Sequence, residues 1–115
     1  MAVTIYHNPR CSKSRETLAL LQDRGIAPTI VEYLNDTPDA KTLDALLKKL
    51  KIEPRELMRR KEAPYRELGL DDPGLSRAAL IAAMVEHPIL IERPIVVSGA
   101  KAALGRPPET VLEIL

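Results

Sequence analysis

Cys11 is the only cysteine in the chain, and it stands in the run VTIYHNPRCSKSRETLALL, where a strand hands over to a helix. A lone cysteine is commonly a small buried hydrophobe. Its position argues for more. With the strand ending near His7 and the helix beginning near Ser12, the thiol lies at a helix N-terminus. Unpaired N–H groups and the helix dipole favour an anion there, so the thiol is expected to ionise more readily than usual. Arg10, Lys13 and Arg15 add positive charge within a turn, and Ser14 is three residues on, close enough to donate a hydrogen bond to sulfur. The same N–H groups suit a tetrahedral oxyanion. In the C-x-x-S spacing, serine fills the slot where a two-cysteine thiol enzyme keeps its resolving sulfur. A mixed disulfide on Cys11 must therefore be resolved by a thiol from another molecule. Metal chemistry has no support, because one cysteine and two histidines eighty positions apart make no ligand spacing.

The elements around Cys11 follow from the punctuation. AVTIYH reads as a short buried strand; Ser12 to Arg24 reads as a helix with Leu18 and Leu21 on one face, stopped by Gly25; TIVEYL reads as a second strand. This βαβ unit implies a parallel pair. Thr37-Pro38 is expected to cap a helix carrying Leu43, Leu46, Leu47 and Leu50, with Lys48, Lys49 and Lys51 at its C-terminal end. Glu53-Pro54 opens a short helix through Met58, APYREL adds a turn, and Ser76 caps a helix that His87-Pro88 ends. Ile95 to Val97 then reads as a strand, Ser98-Gly99 as a turn and Lys101 to Leu104 as an antiparallel partner. Pro107, Pro108 and Glu109 start a last helix with Val111, Leu112 and Leu115 inward. The expected fold class is α/β, a mixed sheet of about four strands in the order βαβ then ββα. It forms one domain over 1–115, with a helical insertion at about 38–87.

Composition bounds the setting. The 115 residues, 45% of them apolar, suit one domain. The net charge of +1, from 17 basic and 16 acidic side chains, gives no global field to attract nucleic acid or an acidic membrane. No apolar run is long enough to span a bilayer and no signal-peptide pattern opens the chain, so a cytoplasmic location is expected. A single cysteine fits a reducing compartment.

Four stretches, YHNPRCSKSR, ELMRRKEAPYRELGL, HPILIERPIVV and GRPPETVLEIL, together resemble the glutaredoxin-coupled bacterial arsenate reductases, from Thr4 to Leu115. The resemblance implies a thioredoxin-like fold and reduction of arsenate to arsenite, with glutathione as co-substrate, glutaredoxin as electron donor and no bound cofactor. It implies that Cys11 is the nucleophile, that Arg59, Arg93 and Arg106 bind and stabilise the oxyanion, that His7 helps keep the thiolate and that Ser14 is its hydroxyl neighbour. It also implies a cis bond before Pro94. Taken alone, Arg59 is a charged residue in a helical segment with Arg60 a near-equal candidate; the motif selects Arg59. Arg93 is the stronger candidate on its own terms, because it precedes Pro94 and opens an apolar strand. Arg106, after Gly105 in a turn, reads equally as surface charge, and His7 equally as a strand end. Arginine suits an oxyanion because it binds two oxygens without losing a proton. Other readings stay open on the residues. They are a thioredoxin-fold regulator of the kind that binds RNA polymerase, whose C-x-x-C switch Ser14 removes, and a thiol reductase or binding module for another substrate.

Overall fold

The computed structural model describes residues 2–115. Its chain divides into two compact units, one made of the residues up to Asp36 with Arg93–Leu115, the other of Thr37–Glu92.

The first unit is built on a four-stranded mixed sheet, β1 (Val3–His7), β2 (Thr29–Glu32), β3 (Ile95–Ser98) and β4 (Lys101–Leu104), in spatial order β2-β1-β3-β4. β2 runs parallel to β1, with Thr4 beside Thr29 and His7 beside Glu32. β3 runs antiparallel to β1, with Tyr6 opposite Ile95, and β4 antiparallel to β3. Helix α1 (Ser12–Asp23) makes the crossover between the parallel strands. Val3, Ile5, Leu21, Val96 and Val111 form its buried core, with Leu18, Leu20, Ile26, Ala103 and Ile114 packed around them. Branched aliphatic side chains fill this core without a single Phe or Trp.

The second unit is helical: α2 (Ala40–Leu50), α3 (Pro54–Leu57), α4 (Ala63–Glu67), α5 (Arg77–Glu86) and a 3-10 turn at Pro88–Leu90. α2 buries Leu43, Leu46 and Leu47, and α5 buries Leu80, Ile81, Ala83 and Met84. Ser76 caps α5 by accepting the Ala79 N–H at 3.1 Å, as the sequence pattern predicts. After the 3-10 turn the chain pairs briefly with the end of α3. Arg59 N–H donates to the Leu90 carbonyl and Glu92 N–H to the Leu57 carbonyl, both at 2.7 Å. No helix among the described residues is long and apolar enough to cross a membrane.

The mixed four-stranded α/β architecture is the one expected, and the differences are local. β2 stops at Glu32, short of Leu34, because the Glu32 carbonyl accepts the N–H groups of Asn35 and Asp36 at 2.9 and 2.8 Å and the chain turns. The cap of α2 is Asp39 and not Thr37: the Asp39 carboxylate accepts the Thr42 N–H at 2.8 Å, leaving Pro38 outside the helix. Ser98 belongs to β3, so the hairpin turn falls on Gly99 and Ala100, with Gly99 at φ +61°. The last helix is a 3-10 helix, Pro108–Ile114. Residues three apart line up in that geometry, so Val111 and Ile114 face the core, while Leu115 is 45% exposed instead of inward.

Candidate active site

The loop from His7 to Cys11 is shaped by Asn8. Its side-chain Oδ1 accepts the Arg10 N–H at 3.0 Å, its carbonyl accepts the Cys11 N–H at 3.0 Å, and its own N–H donates to Ser14 Oγ at 3.0 Å. The first of these bonds is the turn that Asn makes with the backbone two residues on, and the Asn8-Pro9 pair is the sequence signal for it. Sequence reasoning passed over this residue.

Cys11 is the N-cap of α1, with extended backbone (φ −93°, ψ 124°). It is buried, 8% exposed. No acidic residue occupies the first turn of α1, so nothing neutralises the positive helix end. Burial pushes the thiol pKa up. Hydrogen bonds from the Ser14 N–H, from the Arg93 guanidinium and from the Lys13 N–H outweigh it, with Arg93 also acting by its charge, and the net shift is downward. The thiolate is favoured by this environment.

Arg93 reaches Cys11 through the sheet register. With Tyr6 opposite Ile95 in an antiparallel pair, the residues before Ile95 run alongside those after Tyr6, which brings the cis Arg93-Pro94 segment beside the His7–Cys11 loop. Arg93 thus supplies the cation that Arg10, Lys13 and Arg15 were expected to supply. Arg15 donates to the Pro9 carbonyl at 3.0 Å, Lys13 pairs with Glu16 at 3.6 Å, and none of the three side chains acts on the sulfur.

Ser14 is fully buried. Its hydroxyl lies 2.7 Å from His7 Nδ1 and accepts the Asn8 N–H, so its contribution to the sulfur comes from its backbone N–H and not from the hydroxyl. His7 is buried and held toward the neutral form: burial lowers its pKa, Glu32 pulls the other way, and Arg15 lowers it further. Its contact is with Ser14, one group removed from the sulfur.

Arg106 is exposed, and its side-chain Nε–H donates to the backbone carbonyl of Arg93 at 3.0 Å. Gly105 explains the placement. Its N–H donates to the Pro94 carbonyl at 2.9 Å, and an added Cβ would come within 2.5 Å of Thr17 Oγ1 and 2.7 Å of Pro94 Cγ. Thr17, buried and donating to the Lys13 carbonyl at 2.8 Å, is a second positioning residue the sequence did not announce. The bond between Arg106 and Pro107 is also cis.

Arg59 belongs to the second unit, where it is half-buried between two carboxylates: Nε is 4.0 Å from Glu62 and Nη1 3.8 Å from Glu92. These distances compensate its charge without a hydrogen bond. Nη1 is shut off from solvent and makes none among the described residues. Arg60, its near-equal in sequence, is exposed.

Around the loop lies a cleft of about 370 Å³, walled by His7, Asn8, Pro9 and Arg10 on one side and by Glu32, Leu34 and Asn35 on the other.

An arsenate reductase of Haemophilus influenzae is 56% identical to this chain over the full length of both. An uncharacterized protein of Escherichia coli, YfgD, is 60% identical, covering 98% of this chain and 96% of its own. The solved structure of an arsenate reductase from Vibrio cholerae superposes with a TM-score of 0.98 at 59% identity, over all of this chain and 98% of that one. The fold is thioredoxin-like. The model of the ArsC family matches residues 6–114, a span holding the His7–Cys11 loop and Arg59, Arg93 and Arg106, and the chain belongs to the ArsC family.

Proposed function

We propose that this protein reduces arsenate to arsenite in the cytoplasm, using glutathione and glutaredoxin as the source of electrons. The names carried by its relatives support the reaction, and the observation that carries it is the Cys11 sulfur at a helix N-terminus under the Arg93 guanidinium. Arsenate near neutral pH is a tetrahedral anion that repels an approaching thiolate unless cations neutralise it. In this reading Arg93, Arg106 and Arg59 do that, Cys11 attacks arsenic, and an arsenic oxygen leaves as water or hydroxide. The sulfur of glutathione then attacks Cys11. The sulfur–sulfur bond forms, the sulfur–arsenic bond breaks with its electron pair passing to arsenic, and arsenite departs. Glutaredoxin returns Cys11 to the thiol by taking over the glutathionyl group. The chain supplies no resolving cysteine for the second step. Residues 1–115 act as a single thioredoxin-like domain in which the helical segment contributes Arg59, whose part is to govern the fate of the adduct.

The test is arsenate-dependent NADPH oxidation in a mixture of glutathione, glutathione reductase and glutaredoxin. Wild-type protein should turn over, Cys11→Ser should not while keeping its circular dichroism spectrum, and thioredoxin with its reductase should not replace the glutathione system. Turnover by Cys11→Ser would remove the nucleophile from the mechanism. Equal rates with thioredoxin would reverse the electron donor.

A further inference from the structure

The cleft beside the Cys11 loop is not used by the oxyanion chemistry, yet it is formed by design of the sheet. The parallel register sets Glu32 beside His7 at the ends of β2 and β1. From there the segment after β1 runs through Asn8 to Arg10, and the segment after β2 turns back through Leu34 and Asn35, the turn being fixed by the Glu32 carbonyl. The cleft therefore carries one cation and one anion, Arg10 and Glu32, one on each wall. Both are exposed, and neither side chain makes a hydrogen bond or salt bridge among the described residues. The Arg10 backbone is nonetheless held, by Asn8 Oδ1. Asn8 and Asn35 add amide groups to the walls. A volume of about 370 Å³ falls within the range of small-molecule sites, ~300–1,000 Å³.

Its place defines what it is for. Arg10 is bonded directly to Cys11 in the chain, so a ligand held in the cleft lies one residue along the loop from the nucleophile. A single anion such as arsenate would be repelled by Glu32, and a simple cation by Arg10. A ligand with an ammonium and a carboxylate on the same carbon satisfies both. We propose that this cleft binds the γ-glutamyl end of glutathione, its α-carboxylate on Arg10 and its α-ammonium on Glu32, and so presents the glutathione sulfur to Cys11. This rests on the reading of glutathione as the resolving thiol, and it makes Arg10 and Glu32 specificity residues for the thiol and not for the oxyanion.

The experiment leaves arsenate out. The full-length reduced protein is mixed with glutathione disulfide, and formation of the mixed disulfide is followed by intact mass. In that exchange the Cys11 thiolate attacks one sulfur of the disulfide, the Cys11–glutathione bond forms, the original sulfur–sulfur bond breaks, and one glutathione thiolate leaves and takes a proton from water. The rate is divided by that for bis(2-hydroxyethyl) disulfide, which is uncharged and reports the intrinsic reactivity of Cys11. Arg10→Ala and Glu32→Gln should each lower this ratio about fivefold, the upper end for loss of a solvent-screened ion pair. With the N-acetylated disulfide, which lacks the ammonium, Arg10→Ala should still lower the ratio and Glu32→Gln should not. Ratios equal to wild type in both variants overturn the proposal, as does an equal effect of Glu32→Gln on the acetylated and free disulfides. The arsenate assay separates the two ideas. Selective loss of exchange in a protein that turns over no arsenate supports the cleft and sinks the reductase, and unaltered exchange in variants of a protein that does turn over sinks the cleft alone.

Discussion

With its sulfur held by the Ser14 and Lys13 N–H groups and by Arg93 against the opposing push of burial, Cys11 should be alkylated by iodoacetamide with a pH midpoint below the ordinary cysteine value. Arg93→Ala should move that midpoint upward and slow alkylation at neutral pH, whereas Arg10→Ala, Lys13→Ala and Arg15→Ala should change it far less. A midpoint in Arg93→Ala equal to that of wild type would mean that the backbone alone holds the thiolate. His7 makes a prediction of the opposite sense in pH. Burial, partly offset by Glu32 and reinforced by Arg15, lowers its pKa in the folded protein. The unfolded chain therefore binds the proton first as pH falls past ~6.5, and stability drops through that window until the folded state is protonated as well. The melting temperature should fall as pH is taken from about 7.5 to about 5.5, and His7→Gln should flatten the fall. A slope identical in the two proteins would place the acid sensitivity elsewhere. The importance of the helix end was legible in the sequence, since a thiol between a strand and a helix announces itself. Its cation was not. Arg10, Lys13 and Arg15 are near in sequence but turned to Pro9, to Glu16 or into the cleft, and Arg93 becomes a neighbour only through the antiparallel register of β1 and β3.

Most elements were visible because their boundaries are chemical. Gly25 takes φ +75° at the end of α1, Ser76 caps α5, and Pro88 closes it. The misplacements share a cause, which is competition between adjacent candidates that only hydrogen bonds decide. Thr37-Pro38 looked like a helix start, but the Asp39 carboxylate two residues on accepts the Thr42 N–H. TIVEYL looked like six residues of strand, but the Glu32 carbonyl closed a turn. The C-terminal helix had the right inward Val111 and the wrong period. At the β4 end, Gly105 is where packing is tightest. Gly105→Ala should destabilise by about 1–3 kcal/mol, because Thr17 Oγ1 and Pro94 Cγ must both give way. Thermal unfolding would show this as a drop of roughly 4 °C per kcal/mol. Thr17→Ala in the same chain should recover part of the loss. An unchanged melting temperature in the single variant would show that the segment yields without strain and that Gly105 does not set the position of Arg106.

The protein as a body carries almost no net charge, +1 from 17 basic and 16 acidic side chains, so attraction of an anion cannot come from a long-range field. It must come from the few angstroms around Cys11. Arsenate, phosphate and sulfate should slow the alkylation of Cys11 more than chloride does at matched ionic strength, and Arg93→Ala and Arg106→Ala should weaken that protection. Protection by chloride equal to that by the tetrahedral anions would mean only general screening. The sheet order has a consequence of another kind. β1 is flanked by β2 on one side and β3 on the other, while β2 and β4 are the margins. In deuterated water the amides of β1 should be among the last to exchange, opening only when the first unit unfolds, and those on the free sides of β2 and β4 should exchange through small local openings. The nucleophile loop hangs from the end of that slowest strand. The sulfur is thereby insulated from breathing at the margins, and its reactivity should hold steady over temperatures at which the outer strands already let solvent in.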